Sequence, residues 1–374
     1  MLDRLALTGQ VLTITQPFFA RRGQQLHLAR QVWHEMVTDL DLHAQVLHHK
    51  FALGLPIWQS GLIVDQVVSF SQLLLDYTVV ACDGSQIYPD RHTGTNCYLI
   101  NIGQSILRYS NQLNQMSSCA FSTKPYFFTD LNGTTPMAEL VDCHRHSLEM
   151  QVGWQVALAE KTSAKKLISL IDGSLIAWHL DGKNSQLQEQ FLLEYIQQLL
   201  RFEQACVPYA GYISLPNSRE LINLLLAYKA NFVANMINKS ELELLTDADL
   251  LWEVLEPGQY VGWFISGVAA AQAYPESVRP YFVYLHTGHE IARLEFPAWV
   301  VAQSEIFELS LQMIFDQVFK GVGYPVGLAE AHLQAVVKSD DKLFFYNLLR
   351  QVGQQQGHSM VASRKSVQKK IINI

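Results

Sequence analysis

The chain has 374 residues, 27 of them basic and 34 acidic, and a formal net charge of −7. At roughly 100–200 residues per domain, this length allows one large domain or two ordinary ones. Hydrophobic residues make up 49% and charged residues 16%, which supplies a large core, excludes a disordered chain and argues against coating nucleic acid through a globally basic surface.

Met1 to Leu7 carries Asp3 and Arg4 and no long apolar run, so it is not expected to be a signal peptide. From Gly23 to Lys50, Leu26, Ala29, Val32, Trp33, Met36 and Leu40 recur at three and four, which predicts a helix. The stretch Leu62 to Leu75 contains Asp65, and Val261 to Ala271 is short. Neither supplies the ~20 apolar residues of a spanning helix, so a soluble, cytoplasmic protein with no membrane contact is expected. Thr78 to Cys82 is a short strand that stops at Asp83-Gly84-Ser85. Cys97 to Ile102 and Ser105 to Tyr109 flank Gly103-Gln104, which predicts a hairpin. A long helix is expected over Pro136 to Lys161, then a buried strand, Leu167 to Ile171, again ending in Asp-Gly-Ser at Asp172-Gly173-Ser174. Gln186 to Cys206 is a helix, Tyr209 to Leu215 a strand, and Ser218 to Tyr228 a helix. Tyr281 to Leu285 and Glu290 to Phe296 form a second hairpin around Thr287-Gly288, and helices follow at Ser304 to Phe319 and Val326 to Val337. Strands alternating with helices imply an α/β sheet. No solenoid period and no Pro-rich or Gly/Ser-rich linker interrupts the chain.

Several common motifs are missing. There is no GxGxxG after a strand, no GxxxxGK[ST] and no GxSxG, so dinucleotide, P-loop and serine-hydrolase chemistry have no support. His34-Glu35 and His289-Glu290 lack the second histidine of HExxH. The cysteines at 82, 97, 119, 143 and 206 form no CxxC pair, which fits a reducing compartment rather than a disulfide framework or zinc ribbon. Cys143-His144-Arg145-His146 does not predict a zinc site, because adjacent helical residues point in different directions.

The repeated strand-Asp-Gly-Ser is the informative feature. In each copy a buried strand delivers a short carboxylate, and the glycine allows a sharp turn and close approach by a ligand. Two carboxylates at the ends of neighbouring strands suit a hard divalent cation. The plain alternative is that Asp-Gly is only turn chemistry.

An ordered set of motifs extends this pair: Asp83-Gly84-Ser85-Gln86-Ile87 with Pro89-Asp90-Arg91-His92; Arg145 and Glu149; Leu170-Ile171-Asp172-Gly173-Ser174-Leu175; Gly211-Tyr212-Ile213-Ser214-Leu215-Pro216; and Gly323-Tyr324-Pro325 followed by Ala331-His332. In order and spacing the set resembles the NurA nuclease family across Thr78 to Gln351. The resemblance implies an RNase H-like core, with a mixed central sheet flanked by helices and here preceded by an N-terminal helical extension. It implies a DNA nuclease dependent on Mn²⁺ or Mg²⁺, which processes DNA ends in repair with HerA, a hexameric translocase. It also implies a homodimer whose two active sites face a central channel. The family's metal-binding acids match Asp83, Glu149 and Asp172, with Glu139 and Glu160 as rivals to Glu149. A family tyrosine and histidine match Tyr324 and His332. His332 would ligate a metal or carry a proton, and Tyr324 would hydrogen-bond the phosphate or the attacking water. Two cations ~3.5–4 Å apart would activate that water and stabilise the leaving oxygen.

The expected division is a helical region over 1–75, a nuclease domain over 76–357 and a basic tail over 358–374. Arg91 and His92 are candidates for a phosphate contact or belong to a plain solvated loop. Arg293 and Glu295 are taken as a surface pair. The tail carries Arg364, Lys365, Lys369 and Lys370 with no acid among them; it either docks DNA or a partner, or is a frayed terminus. A dimer interface is expected in the N-terminal helices and the hairpin from Tyr281 to Phe296. Two other readings stay open: a non-catalytic adaptor or DNA-end clamp, and another metal-dependent phosphoesterase.

Overall fold

The computed structural model describes residues 3–58, 66–68, 76–89, 96–110, 116–127, 137–164, 166–180, 182–183 and 185–357. Asp90, Arg91, His92, Pro136 and the whole basic tail lie outside the described residues. In chain order the elements begin with α1 (Arg4–Val37), α2 (Leu42–Leu53), β1 (Gln66–Val67), β2 (Tyr77–Ile87), β3 (Cys97–Tyr109), β4 (Met116–Phe127), α3 (Met137–Lys161) and β5 (Leu167–Asp172). They continue with α4 (Ser185–Gln204), β6 (Tyr209–Ile213), α5 (Glu220–Lys229), α6 (Asp247–Val254), β7 (Gln259–Ile265), α7 (Ala269–Gln272), β8 (Pro280–His286) and β9 (Ile291–Pro297). The last four are α8 (Ala298–Val301), α9 (Ser304–Lys320), α10 (Val326–Ala335) and α11 (Ser339–Gln355).

Two compact units share these elements. The first takes the described residues of Leu74–Asp172, Ala177–Tyr209 and Pro325–Ile374. Its strands run in the order β5-β2-β3-β4. β2, β3 and β4 are antiparallel neighbours, and β5 lies parallel to β2. A parallel partner requires a crossover, and α3 supplies it between β4 and β5. Three antiparallel strands, a helix and a parallel strand make the expected RNase H-like core. From Tyr77 to Cys82 every residue of β2 is buried, as a strand covered on both faces must be. Val141, Leu148 and Val152 of α3 pack on Tyr98, Ile100 and Ile102 of β3. Phe345 of α11 packs on Ile87 and Cys97.

Two breaks expected from the sequence are absent. β2 does not stop at Asp83-Gly84-Ser85 but continues to Ile87, with Asp83 paired to Gly103. β3 runs unbroken through Gly103-Gln104, so there is no hairpin there. Both glycines serve close approach rather than turning. A Cβ on Gly84 would overlap Glu149 Oε1, and one on Gly103 would strike the α10 backbone at Ala331 and Ala335. Only the second Asp-Gly turns: Gly173, with φ +122°, follows the last residue of β5.

The second unit takes the described residues of Met1–Leu73, Gly173–Ile176 and Ala210–Tyr324. Its strands run β1-β7-β8-β9-β6, all antiparallel. α1 and α2 do not stand apart. Trp33, Met36, Leu42 and Val46 share one core with Leu221, Leu225 and Leu251 of α5 and α6 and with Phe264 and Phe282 of the strands. A capping box formed by Thr246 and Asp249 starts α6. β8 and β9 form the expected hairpin around Gly288, at φ +88°. Every residue of both strands is buried, so the hairpin belongs to the interior of its unit and is not an exposed dimer surface. No helix among the described residues is long and apolar enough to cross a membrane.

Candidate functional site

In the first unit, β2 carries Asp83 to the place where α3 and α10 approach the sheet. Asp83 Oδ2 lies 2.7 Å from Nδ1 of His332, and its Oδ1 accepts the Gly84 N–H at 2.8 Å. A carboxylate only accepts, so His332 donates to it through Nδ1, and Nε2 is left for another partner. The His332 side chain is 64% exposed, so it is not a core histidine; α10 instead buries Gly327, Leu328, Ala331 and Ala335. Asp172 is the exposed last residue of β5. The parallel register pairs Cys82 with Ile171, so Asp83 and Asp172 follow at the next step on adjacent strands. Residues level with each other in a sheet project from the same face.

Glu149 comes from α3 and is almost completely buried, at 3% exposure. Its Oε1 accepts from Arg145 Nη1, one helical turn back, and lies against Gly84. Its Oε2 is 3.3 Å from His146 Nδ1. The two rivals face elsewhere. Glu139 pairs with Lys183 at 3.3 Å, and Glu160 is gripped at both oxygens by Arg108, at 2.6 and 2.7 Å. The charge gathered here acts on its neighbours. Burial pushes the Cys82 thiol far up, and Glu149 and Asp83 add to that rise. Burial raises the Tyr209 phenol, helped by Cys82 and Glu149. Burial works to lower Arg145, but Glu149, Asp83 and Asp142 outweigh it and hold the guanidinium above its ordinary value.

A polar clamp that the sequence did not reveal holds α10 against the sheet. The Asn101 amide donates to the carbonyls of Gln334 and Ala335 at 3.0 and 2.9 Å, and the Ser85 hydroxyl also donates to Ala335. Thr123 on β4 donates to Asn101 Oδ1 at 2.6 Å and fixes the orientation of the amide. The clamp closes on the last turn of the helix that carries His332. Its one sequence signal is a polar Asn101 set between the apolar Ile100 and Ile102.

Tyr324 lies in the second unit. Its ring meets that of Tyr212 edge-on, with centroids 5.5 Å apart, and the Tyr212 hydroxyl donates to Glu290 at 2.7 Å. The same unit overturns the reading of Arg293 and Glu295 as a surface pair, since they are 2% and 0% exposed. Arg293 bridges Glu295 at 2.8 Å and Glu220 at 2.6 Å, and its guanidinium carbon lies 3.7 Å from the Phe282 ring centre. Glu295 accepts in turn from the Ser174 hydroxyl at 2.7 Å and the Leu175 N–H at 2.8 Å. Alternate positions on a strand show that two residues share a face, but not that the face is covered.

Among the described residues no three His, Cys, Asp or Glu side chains are gathered as they stand to hold a metal ion. The donor chemistry nevertheless fits a hard divalent cation. Asp83 and Asp172 are neighbouring carboxylates by register, and Glu149 Oε1 reaches the Asp83 strand through the space left by the missing side chain of Gly84. All are oxygen donors, the preferred ligands of Mg²⁺ and Mn²⁺.

Residues 77–337 match the family model of the NurA domain. The chain is also similar to the crystal structure of an endonuclease V from Bacillus subtilis, at 11% identity and a TM-score of 0.33, over 75% of this chain and 83% of that one. Endonuclease V of Ciona intestinalis, in complex with a 24mer DNA, is similar at 14% identity and a TM-score of 0.21, over 41% of this chain and 53% of that one. Drosophila Piwi is similar at 13% identity and a TM-score of 0.25, over 69% of this chain and 31% of that one. No curated protein matches. Structural likeness this slight carries no argument about the site.

Proposed function

The chain belongs to the NurA domain family, a family of nucleases, and from that premise we propose that it is a divalent-metal-dependent deoxyribonuclease. One observation carries the reading: Asp83, bonded to an exposed His332, shares the Gly84 edge of β2 with the buried Glu149. A buried carboxylate and a solvent-facing Asp–His pair have no need to meet in a scaffold.

Asp83, Glu149 and Asp172 would hold the cation, which when bound activates water and stabilises charge on the leaving oxygen. The rest falls to the chain's own groups. Asp83 orients the His332 ring through Nδ1, which leaves Nε2 to accept or return a proton at the reacting phosphodiester. The clamp from Asn101 fixes the helix that presents this nitrogen. Tyr324 is proposed to hydrogen-bond the phosphate or the attacking water. The reading extends to DNA-end processing with a HerA-type hexameric translocase and to a homodimer.

The test is cleavage of end-labelled single- and double-stranded DNA with Mn²⁺, Mg²⁺ or EDTA. Cleavage is expected with metal and not with EDTA, and Asp83→Asn should abolish it in a protein that melts normally. His332→Ala should slow it on the order of 10²–10⁴-fold, the usual contribution of a proton carrier. Light scattering at micromolar concentration should give a dimer mass. Metal-independent cleavage, or an active Asp83→Asn variant, refutes the site; DNA binding without any cleavage would make the chain an adaptor.

A further inference from the structure

We infer that Arg145 is a phosphate-binding residue held in reserve: Glu149 occupies its guanidinium until a divalent cation takes that carboxylate, and the freed guanidinium then grips the phosphodiester. The inference rests on the metal-dependent nuclease reading and adds a substrate contact and an order of binding to it.

The geometry of two ion pairs on α3 separates a structural arginine contact from a provisional one. Arg108 holds Glu160 through Nε and Nη2 at 2.7 and 2.6 Å, one nitrogen to each oxygen. This is the fork-to-fork geometry in which arginine binds a carboxylate most strongly. Arg145 touches Glu149 at one point only, through Nη1 to Oε1, with Gly84 O at a marginal 3.5 Å. Its Nε–H is buried with no hydrogen-bond partner among the described residues. A buried N–H left unpaired costs free energy. It is retained here beside a group that would bind a phosphate, which accepts from arginine in the same two-pronged way as a carboxylate.

The contact atom matters as well. Oε1 is the Glu149 oxygen that lies against Gly84, next to Asp83 in the strand. A cation held by Asp83 and Glu149 would draw on the Glu149 carboxylate, and a cation and a guanidinium repel each other there. Glu149 therefore exchanges one positive partner for another. Nearby acceptors are already partly engaged. Asp142 already accepts from the Gln86 amide at 3.1 Å and from the Tyr88 hydroxyl, and Asp83 accepts from His332. The Arg145 side chain is 26% exposed, so its released end meets solvent at the edge of the site.

Arg145→Gln and Arg145→Lys test this in the full-length protein. Mn²⁺ binding without DNA is read by electron paramagnetic resonance of the free ion, and DNA binding by fluorescence anisotropy with Ca²⁺ across a salt series. Arg145→Gln should bind Mn²⁺ more tightly than the wild type, because its competitor is gone. It should bind DNA more weakly, with the slope of log K against log salt reduced by about 1, the mark of one lost phosphate contact. Arg145→Lys should restore most of that slope and serves if the Gln variant does not fold. In the wild type, the divalent ion should raise DNA affinity; in Arg145→Gln, that gain should disappear. Weaker Mn²⁺ binding in a folded variant, or an unchanged slope, overturns the inference while leaving a wild type that binds metal and cuts DNA as a nuclease. A wild type that binds no Mn²⁺ and cuts nothing overturns both.

Discussion

Replacing Gly103 by alanine tests the seat of α10 directly. A Cβ at this position points into the helix backbone, with the Gln334 carbonyl carbon 2.8 Å away and Ala331 O and Ala335 N closer still. Ordinary carbon contacts lie at about 3.5–4.0 Å, so the helix must retreat by about 0.7–1.2 Å. No side-chain rotation relieves an overlap with backbone. The same retreat would stretch the 2.7 Å contact between His332 and Asp83 beyond hydrogen-bond length and pull Ala335 from its 2.9 Å bond with Asn101. Overpacking costs about 1–3 kcal/mol and each of the two lost hydrogen bonds about 1 kcal/mol, so a loss of about 3–5 kcal/mol is expected. At about 2–4 °C per kcal/mol for a domain of this size, melting should fall by about 6–20 °C. Displacement of His332, the proposed proton carrier, by ~1 Å should cost on the order of 10²-fold in cleavage, beyond the loss of folded protein. Gly153→Ala is the internal control. Its Cβ would meet nothing nearer than Ser169 Oγ at 3.7 Å, and alanine in mid-helix gains about 0.5–1 kcal/mol. Thermal melts and initial cleavage rates on the folded fraction check both variants. If Gly103→Ala melts and cuts like the wild type, α10 does not rest on β3 and the positioning argument fails.

Asn101→Leu should lower stability by about 2–4 kcal/mol in urea unfolding, because the Gln334 and Ala335 carbonyls and the Thr123 hydroxyl lose a buried partner; a neutral result would show that water replaces the amide. Arg293→Met should cost about 3–5 kcal/mol, since it strands Glu220 and Glu295 without their cation, and a stability change under 1 kcal/mol would refute the buried network. Burial raises the Asp247 carboxyl above its ordinary value, although the Tyr284 hydroxyl at 2.7 Å and the Ile222 N–H at 2.9 Å hold it down in part. With the folded value raised, native Asp247 favours the protonated state. Its contribution is therefore complete below the unfolded value of ~3.9 and is lost as pH rises through the folded one. Urea unfolding from about pH 4 to 7 should show that decline, and Asp247→Asn should flatten it; equal slopes in the two proteins would remove Asp247 as its source.

The helices and buried strands were legible in the sequence because each rests on a local pattern. The three-and-four spacing from Leu26 to Met36 is one such pattern, and the apolar runs ahead of Asp83 and Asp172 are another. The ordered motifs also carried the family and, with it, the RNase H-like core. The meaning of individual residues depended on what the fold brings against them. Gly103-Gln104 looks like a hairpin turn, because a short sequence window cannot distinguish a glycine that bends the chain from one that lets another backbone pass. The same holds for Gly84, which leaves β2 straight and makes room for Glu149. The ordered motifs favoured Glu149, but spacing along α3 left Glu139 and Glu160 as rivals; only the packing of α3 on β2 turns Glu149 to the Asp83 strand and gives the other two to Lys183 and Arg108. The alternation of Arg293 and Glu295 was visible, but their burial was not, since it comes from neighbouring strands and a helix far away in sequence. Periodicity and turn chemistry act within a few residues, so the sequence determined the elements and the carboxylates. Steric exclusion and charge pairing also act between residues from 44 to 249 positions apart, so only the tertiary structure decided which of those carboxylates face one another.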